Sequence, residues 1–182
     1  MVENKDIKKV LISEEEIVAR AKVLGEQISK DYEGKELVLI ALLKGSVPFM
    51  AELMKSITIP METEYMQVSS YQGTISTEVK IIKDVDRSLQ GCDVLIVEDI
   101  VDTGKTLKTV KELLSSKGTN SVKVASLLNK QGGRLVDMNV EYIGFEIPDE
   151  FVVGYGLDFY QKMRNLPYVG VLKEECYKET YE

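Results

Sequence analysis

One stretch of this chain leaves few folds open. Val94-Leu95-Ile96-Val97 is followed at once by Glu98, Asp99, Ile100, Val101 and Asp102, and then by Thr103-Gly104-Lys105-Thr106-Leu107. Four consecutive apolar residues suit a strand buried on both faces, as in a parallel sheet covered by helices. Leu107, Val110, Leu113 and Leu114 then recur at helical spacing, so the chain turns at Thr103-Gly104 and a helix begins there. Gly104 removes a Cβ where backbone must approach a ligand closely. Thr103, Lys105 and Thr106 bring two hydroxyls and a positive charge to the free N–H groups of the helix start, which is a phosphate site by its own geometry. Three carboxylates are poor neighbours for a bare phosphate unless a metal or the hydroxyls of a sugar stand between them. Phosphate, hydroxyls and Mg²⁺ in a row describe a sugar phosphate.

Two other readings compete. Gly104-Lys105-Thr106 would fit the end of a P-loop, but that motif needs glycine where Asp99 stands. Alternatively Glu98, Asp99 and Asp102 are only a solvated strand end and a helix cap, for which aspartate is a common choice. Three acids between an apolar run and a Thr-Gly-Lys-Thr turn exceed what a cap needs.

Elsewhere the same alternation of strands and helices recurs. Ile7 to Ile12 carries a short strand signal, and Ser13 with Glu16 forms a capping box for a helix whose apolar face is Ile17, Ala21, Leu24 and Ile28 and which Gly34 ends after a frayed last turn. Leu37 to Leu43 is a second apolar run, followed by Lys44-Gly45-Ser46 and then by a helix start at Val47-Pro48-Phe49. Lys44-Gly45 is either a second anion site or a plain turn from strand to helix, and spacing does not separate the two. Met61 to Ser70 and Val79 to Ile82 read as strands around a polar loop, Ser69 to Thr77, that is a lid candidate or a hairpin end. Val122 to Leu128 and Tyr142 to Phe145 complete the set, with the loop Asn129 to Arg134 between them. Strands alternating with helices predict a mostly parallel sheet with helices on both faces, binding its ligand beyond the carboxyl ends of the strands. Lys44, Glu98 to Asp102 and Lys130 all lie at such ends.

What the chain lacks narrows its chemistry further. It has no histidine, which removes Ser/His and Cys/His catalysis and the usual zinc centres, leaving a carboxylate, lysine or tyrosine as any general base. Cys92 and Cys176 have no metal or disulfide spacing. A net charge of -7 argues against nucleic acid as the main partner. No apolar run approaches membrane-spanning length and the N-terminus carries no cleavage signal, so a cytoplasmic enzyme without a membrane partner is expected.

The run E-D-I-V-D-T-G-K-T after V-L-I-V resembles the phosphoribosyl pyrophosphate motif of the type I phosphoribosyltransferases. L-K-G at Leu43 to Gly45, S-S-Y at Ser69 to Tyr71, L-L-N-K at Leu127 to Lys130 and I-P-D-E-F-V-V-G-Y-G-L-D from Ile147 to Asp158 follow in the same order. Over nearly the full chain this order is similar to the hypoxanthine-guanine, or 6-oxopurine, branch of that family. The resemblance implies an α/β fold, a mostly parallel twisted sheet flanked by helices, in a single domain over 1–182. It would have a core of about 35–145 and a small hood from about 1–12 and 146–182. The implied activity is purine salvage: transfer of 5-phosphoribosyl from phosphoribosyl pyrophosphate to hypoxanthine or guanine, releasing pyrophosphate as a Mg²⁺ complex. A homodimer or homotetramer is implied as well.

Carried over residue by residue, the resemblance assigns Glu98 and Asp99 to the ribose hydroxyls and the metal's surroundings. Asp102 becomes the general base beside the purine's imidazole edge, and Asp102, Thr103, Gly104, Lys105 and Thr106 the 5-phosphate cradle. Lys44 and Gly45 present backbone groups to pyrophosphate, with Arg164 a charged partner and Asp158 a ligand of a second Mg²⁺. Ser70 and Tyr71 close as a lid. Phe151 stacks on the purine, whose pyrimidine edge meets the Val152 backbone. Read without the resemblance, Phe151 is as readily core and Arg164 a surface ion pair. Lys130 is donor-only, so it donates to a 6-oxo group and meets the 6-amino group of adenine donor to donor. That selection weakens an adenine, orotate or xanthine transferase, xanthine least. A regulatory protein of this fold that binds RNA or DNA is the reading of another class, opposed by the acidic charge and by the joint presence of Asp102, Lys130, Asp158 and Arg164.

Overall fold

The computed structural model describes residues 4–72 and 77–177, without the side chains of 70–72, 77 and 78. Ile7–Ile12 is strand β1, and the chain turns directly into helix α1, Glu14–Asp31. The capping box is present: Ser13 Oγ accepts the Glu16 N–H at 3.2 Å and Glu16 Oε2 accepts the Ser13 N–H at 2.8 Å. Ile17, Ala21, Leu24 and Ile28 are buried as the spacing predicts. Regular helix ends at Asp31 with Tyr32 as its C-cap, and the frayed last turn closes at Gly34, at φ +73, as expected.

Strand β2, Leu37–Leu42, is buried throughout and leads through a short turn into helix α2, Val47–Met54. Strands β3, Met61–Gln72, and β4, Thr77–Lys83, follow, then β5, Asp93–Val101, helix α3, Lys105–Ser116, and strands β6, Ser121–Asn129, and β7, Tyr142–Glu146. They form one six-stranded sheet of order β4-β3-β2-β5-β6-β7, parallel at every pairing except β3 with β4. The apolar run of β2 is continuous because both sheet faces are covered. Leu37, Leu39 and Ala41 pack with Ile17, Leu24, Phe49 and Leu53 of α1 and α2, whereas Val38, Ile40 and Leu42 pack with Leu107, Val110 and Leu114 of α3. Truncating any of these leucines to alanine is a change of about 2–5 kcal/mol.

From β2 the chain crosses to β3 on one side, and from β5 to β6 on the other. The boundary between β2 and β5 is therefore the point at which an open α/β sheet offers a crevice at its carboxyl edge. A second sheet stands apart from the first. Strand β8, Val152–Val153, pairs with β9, Val169–Leu172, which pairs with β1, in an antiparallel order β1-β9-β8 built from the two ends of the chain. Among the described residues no helix is long and apolar enough to cross a membrane.

Candidate functional site

Glu98 and Asp99 lie in the last four residues of β5 and Asp102 directly follows it. Glu98 pairs with Ser126 and Ile100 with Leu128, so the ladder fixes the backbone while the side chains emerge half-buried at the sheet's carboxyl edge. Burial pushes the Glu98 carboxyl well above the usual carboxylate range, with the Asp99 charge adding to it. Burial likewise pushes Asp99 up to about 6, against the Ile100 N–H that its Oδ1 accepts at 2.8 Å and the nearby Arg164 guanidinium. Two buried acids short of donors are a place for hydroxyls or a cation. Among the described residues, however, no group of three acids or cysteines converges as a metal site complete in itself.

None of the three carboxylates caps α3. Its N-cap is Gly104, left-handed at φ +78 and without a side-chain cap, so the first-turn amides remain free. Any Cβ at Gly104 would also press on Met138 and Val136 at 3.0 Å, so the close approach expected there is made by the following loop as well as by any ligand. Glu98, Ile100, Val101, Asp102, Thr103, Gly104, Thr106 and Leu107 line a cavity of about 160 Å³. Glu98, Asp102 and the anion-binding turn thus share one space, with Asp99 directed instead toward Gly45. Lys105, the first helical residue, is exposed beside it.

The loop after β6 is stitched to the loop after β5. Lys130 donates its N–H to the Val101 carbonyl at 3.0 Å, and Leu135 donates to the Thr103 carbonyl at 3.0 Å. Arg134, given no role by its sequence, ties these loops together: Nε donates to the Asp102 carbonyl at 3.1 Å, Nη1 to the Met138 carbonyl at 3.4 Å, and Nη2 to Asn129 Oδ1. Asn129 is buried and donates in turn to Glu146. Gly132 and Gly133 therefore belong to a fastened turn, and a Cβ on Gly133 would strike the exposed Asp102 carboxylate. Lys130 Nζ lies 3.0 Å from Asp149 Oδ1 with its side chain only 12% exposed.

At the end of β2, Gly45 is buried against Asp99. A Cβ there would overlap the Asp99 carboxylate, and a Cβ on Gly156, at φ +101, would strike the Gly45 carbonyl. The Leu43–Lys44 peptide is cis. Lys44 Nζ donates to Gln161 Oε1 at 3.4 Å, and Arg164 Nη2 donates to the same oxygen at 3.1 Å. Arg164 also pairs with Asp158 at 2.7 Å and donates to the Gly156 carbonyl at 2.7 Å. The structure thus joins Lys44, Gly45, Asp99, Asp158 and Arg164 in one contact network. Phe151 precedes β8, where Val152 pairs with Val171; its ring packs edge-on to Phe159 at 5.8 Å and face-on to Tyr177 at 5.0 Å. Ser70 and Tyr71 continue β3 opposite Val79 and Glu78, but their side chains and the loop 73–76 lie outside the described residues, and the lid with them.

Residues 11–160 match the family model of the phosphoribosyl transferase domain. A hypoxanthine-guanine phosphoribosyltransferase of Streptococcus agalactiae is 55% identical over 98% of this chain and 100% of its own length. One from Lactococcus lactis is 56% identical over 97% of each chain. A crystal structure of a hypoxanthine phosphoribosyltransferase from Staphylococcus aureus superposes with a TM-score of 0.92 at 50% identity, covering 94% of this chain and 95% of that one.

Proposed function

Because this chain belongs to the phosphoribosyltransferase family, we propose that the crevice at the ends of β2, β5 and β6 is where it carries out hypoxanthine-guanine phosphoribosyl transfer. The observation that carries this reading is Glu98, its carboxyl pushed up by burial, lining one cavity with Asp102, Thr103, Gly104 and Thr106, while its neighbour Asp99 lies beside Gly45 at the end of β2. Ribose hydroxyls relieve the acids, and the 5-phosphate takes the free amides of α3 together with the hydroxyls of Thr103 and Thr106 and the charge of Lys105.

In the reaction a purine imidazole nitrogen bonds to ribose C1 as the bond from C1 to the pyrophosphate oxygen breaks. Asp102, exposed at the mouth of the crevice and held by its own carbonyl to Arg134, takes the proton the base must lose. Negative charge gathers on pyrophosphate while C1 becomes oxocarbenium-like, so cations on the leaving group lower the barrier. Lys44 and Arg164 supply two of them beside the Gly45 backbone. Magnesium, when bound, neutralises the leaving group further. Glu98, Asp99 and Asp158 are hard oxygen donors that would hold it together with water and substrate oxygens.

Lys130 donates to the 6-oxo group while retaining Asp149, since an ammonium has three protons to give. Phe151 offers the ring for stacking and Val152 its backbone, with Ser70 and Tyr71 covering the pyrophosphate. The same proposal includes a single domain over 1–182, with the antiparallel sheet as its hood over a core of about 35–145. It also includes a cytoplasmic location and self-association as a dimer or tetramer, which sedimentation would test.

The decisive assay incubates the purified protein with Mg²⁺, phosphoribosyl pyrophosphate and each purine in turn. Nucleoside monophosphate formed from hypoxanthine or guanine, and not from adenine, is the expected result. No turnover with any purine, or salt-sensitive RNA binding instead, would overturn it.

A further inference from the structure

We propose that Gln161 is a positioning residue for the pyrophosphate end of the site, holding the Lys44 ammonium and the Arg164 guanidinium on a single side-chain oxygen. The inference rests on the crevice being the site of phosphoribosyl transfer and adds a residue to it. Gln161 Oε1 accepts from Lys44 Nζ at 3.4 Å and from Arg164 Nη2 at 3.1 Å, across 117 and 3 positions of sequence respectively.

The backbone argues that this side chain has a task. Phe159 and Lys162 exchange both of their main-chain hydrogen bonds, at 3.1 and 3.0 Å, around Tyr160 and Gln161. Both central residues are left-handed, at φ +49 and +64. Such two-residue turns are ordinarily Asn-Gly or Asp-Gly, because long L side chains resist this conformation. Tyrosine and glutamine are poor choices for making the turn. The conformation is held from outside, by the Gln161 N–H donating to Asp158 Oδ2 at 2.8 Å, and Asp158 itself pairs with Arg164. Strained residues fixed by their surroundings collect at functional sites.

Chemistry gives the reason for an amide. Lys44 is exposed on a flexible four-carbon stem and, left alone, would sample many positions in water. A neutral carbonyl dipole accepts from two cations without cancelling the charge of either. The pair is thereby drawn to one point, still mutually repelling, with the single carboxylate of Asp158 set against two cations. A polyanionic leaving group resolves that repulsion, and because the cations are placed in advance, little reorganisation is needed as charge develops on it.

The test compares wild type with Gln161→Met, which keeps the side chain's length and removes its acceptor, with Lys44→Met, and with the double variant. KM for phosphoribosyl pyrophosphate and KM for pyrophosphate in the reverse reaction are expected to rise about 3- to 10-fold in Gln161→Met, the loss of one positioned hydrogen bond. KM for hypoxanthine is expected to stay within about twofold. Since Gln161 acts through Lys44, the double variant should bind pyrophosphate little worse than Lys44→Met alone. Unchanged pyrophosphate binding, equal rises in both KM values, or fully additive losses would each overturn the role. Failure of wild type itself to transfer phosphoribosyl groups would sink the parent reading instead, and a melting temperature for each variant separates misfolding from either outcome.

Discussion

Replacing Lys130 by alanine should narrow the choice between 6-oxo and 6-amino purines by one to two orders of magnitude while leaving the fold nearly as stable as before. The two effects separate because Lys130 uses different atoms for each. Its N–H, bonded to the Val101 carbonyl at 3.0 Å, fixes the loop beside Asp102 and survives the substitution. Its ammonium meets Asp149, which is 74% exposed, and an ion pair so open to water contributes about 0–1 kcal/mol. The other duty proposed for Nζ is the purine oxygen. A hydrogen bond from a charged donor, shielded by a side chain that is 12% exposed, is worth roughly 1.5–3 kcal/mol. At about 1.4 kcal/mol per factor of ten, that is a loss of roughly 10- to 150-fold in kcat/KM with hypoxanthine or guanine. Adenine, relieved of a donor facing its own amino group, should lose nothing and gain where the pocket admits it. Measuring kcat/KM for the three purines, with denaturant midpoints and with Asp149→Asn as control, checks each part. A ratio of oxo to amino activity that stays fixed while hypoxanthine turnover falls would refute the reasoning, and would make Lys130 a structural residue.

Three further outcomes follow from the geometry. Asp102→Asn should lower turnover by roughly 10²- to 10⁴-fold with little change in phosphoribosyl pyrophosphate affinity, and near-normal turnover would remove the assigned base. Gly45→Ala would place a methyl group on the Asp99 carboxylate, an overpacking of about 1–3 kcal/mol that should lower the melting temperature by roughly 2–12 °C; no change would mean that Asp99 moves aside freely. Ser13→Ala removes the capping box of α1 far from the crevice, so about 1 kcal/mol, or roughly 2–4 °C, should be lost with kcat unchanged.

The parts of the fold that were legible are those whose burial has a period. Leu37 to Leu42 and Val94 to Val97 are apolar without interruption because helices cover both faces of the sheet, and Ser13 with Glu16 announces α1 through local hydrogen bonds alone. Where the apolar run stops, the strand does not: Glu98 and Asp99 form its acidic end and β5 runs on to Val101, since a ladder bonds backbone groups whatever the side chains are.

The site divides along the same line. Lys44, Glu98, Asp99, Asp102 and Lys130 are carried by three strands that are neighbours in the sheet, so knowing each strand's end is enough to expect them together. Arg134 and Gln161 have no periodicity, no motif spacing and no apolar context, and nothing local distinguishes them from surface residues. Each gains its place from a partner far along the chain: Arg134 from the Asp102 carbonyl, Gln161 from the Lys44 ammonium. The strand ends bring the proposed reacting groups to one edge, and these two side chains bond to the loops that carry them. An enzyme of this design should therefore tolerate substitutions in its fasteners with a graded loss of affinity, whereas substitution of Asp102 should remove the chemistry itself.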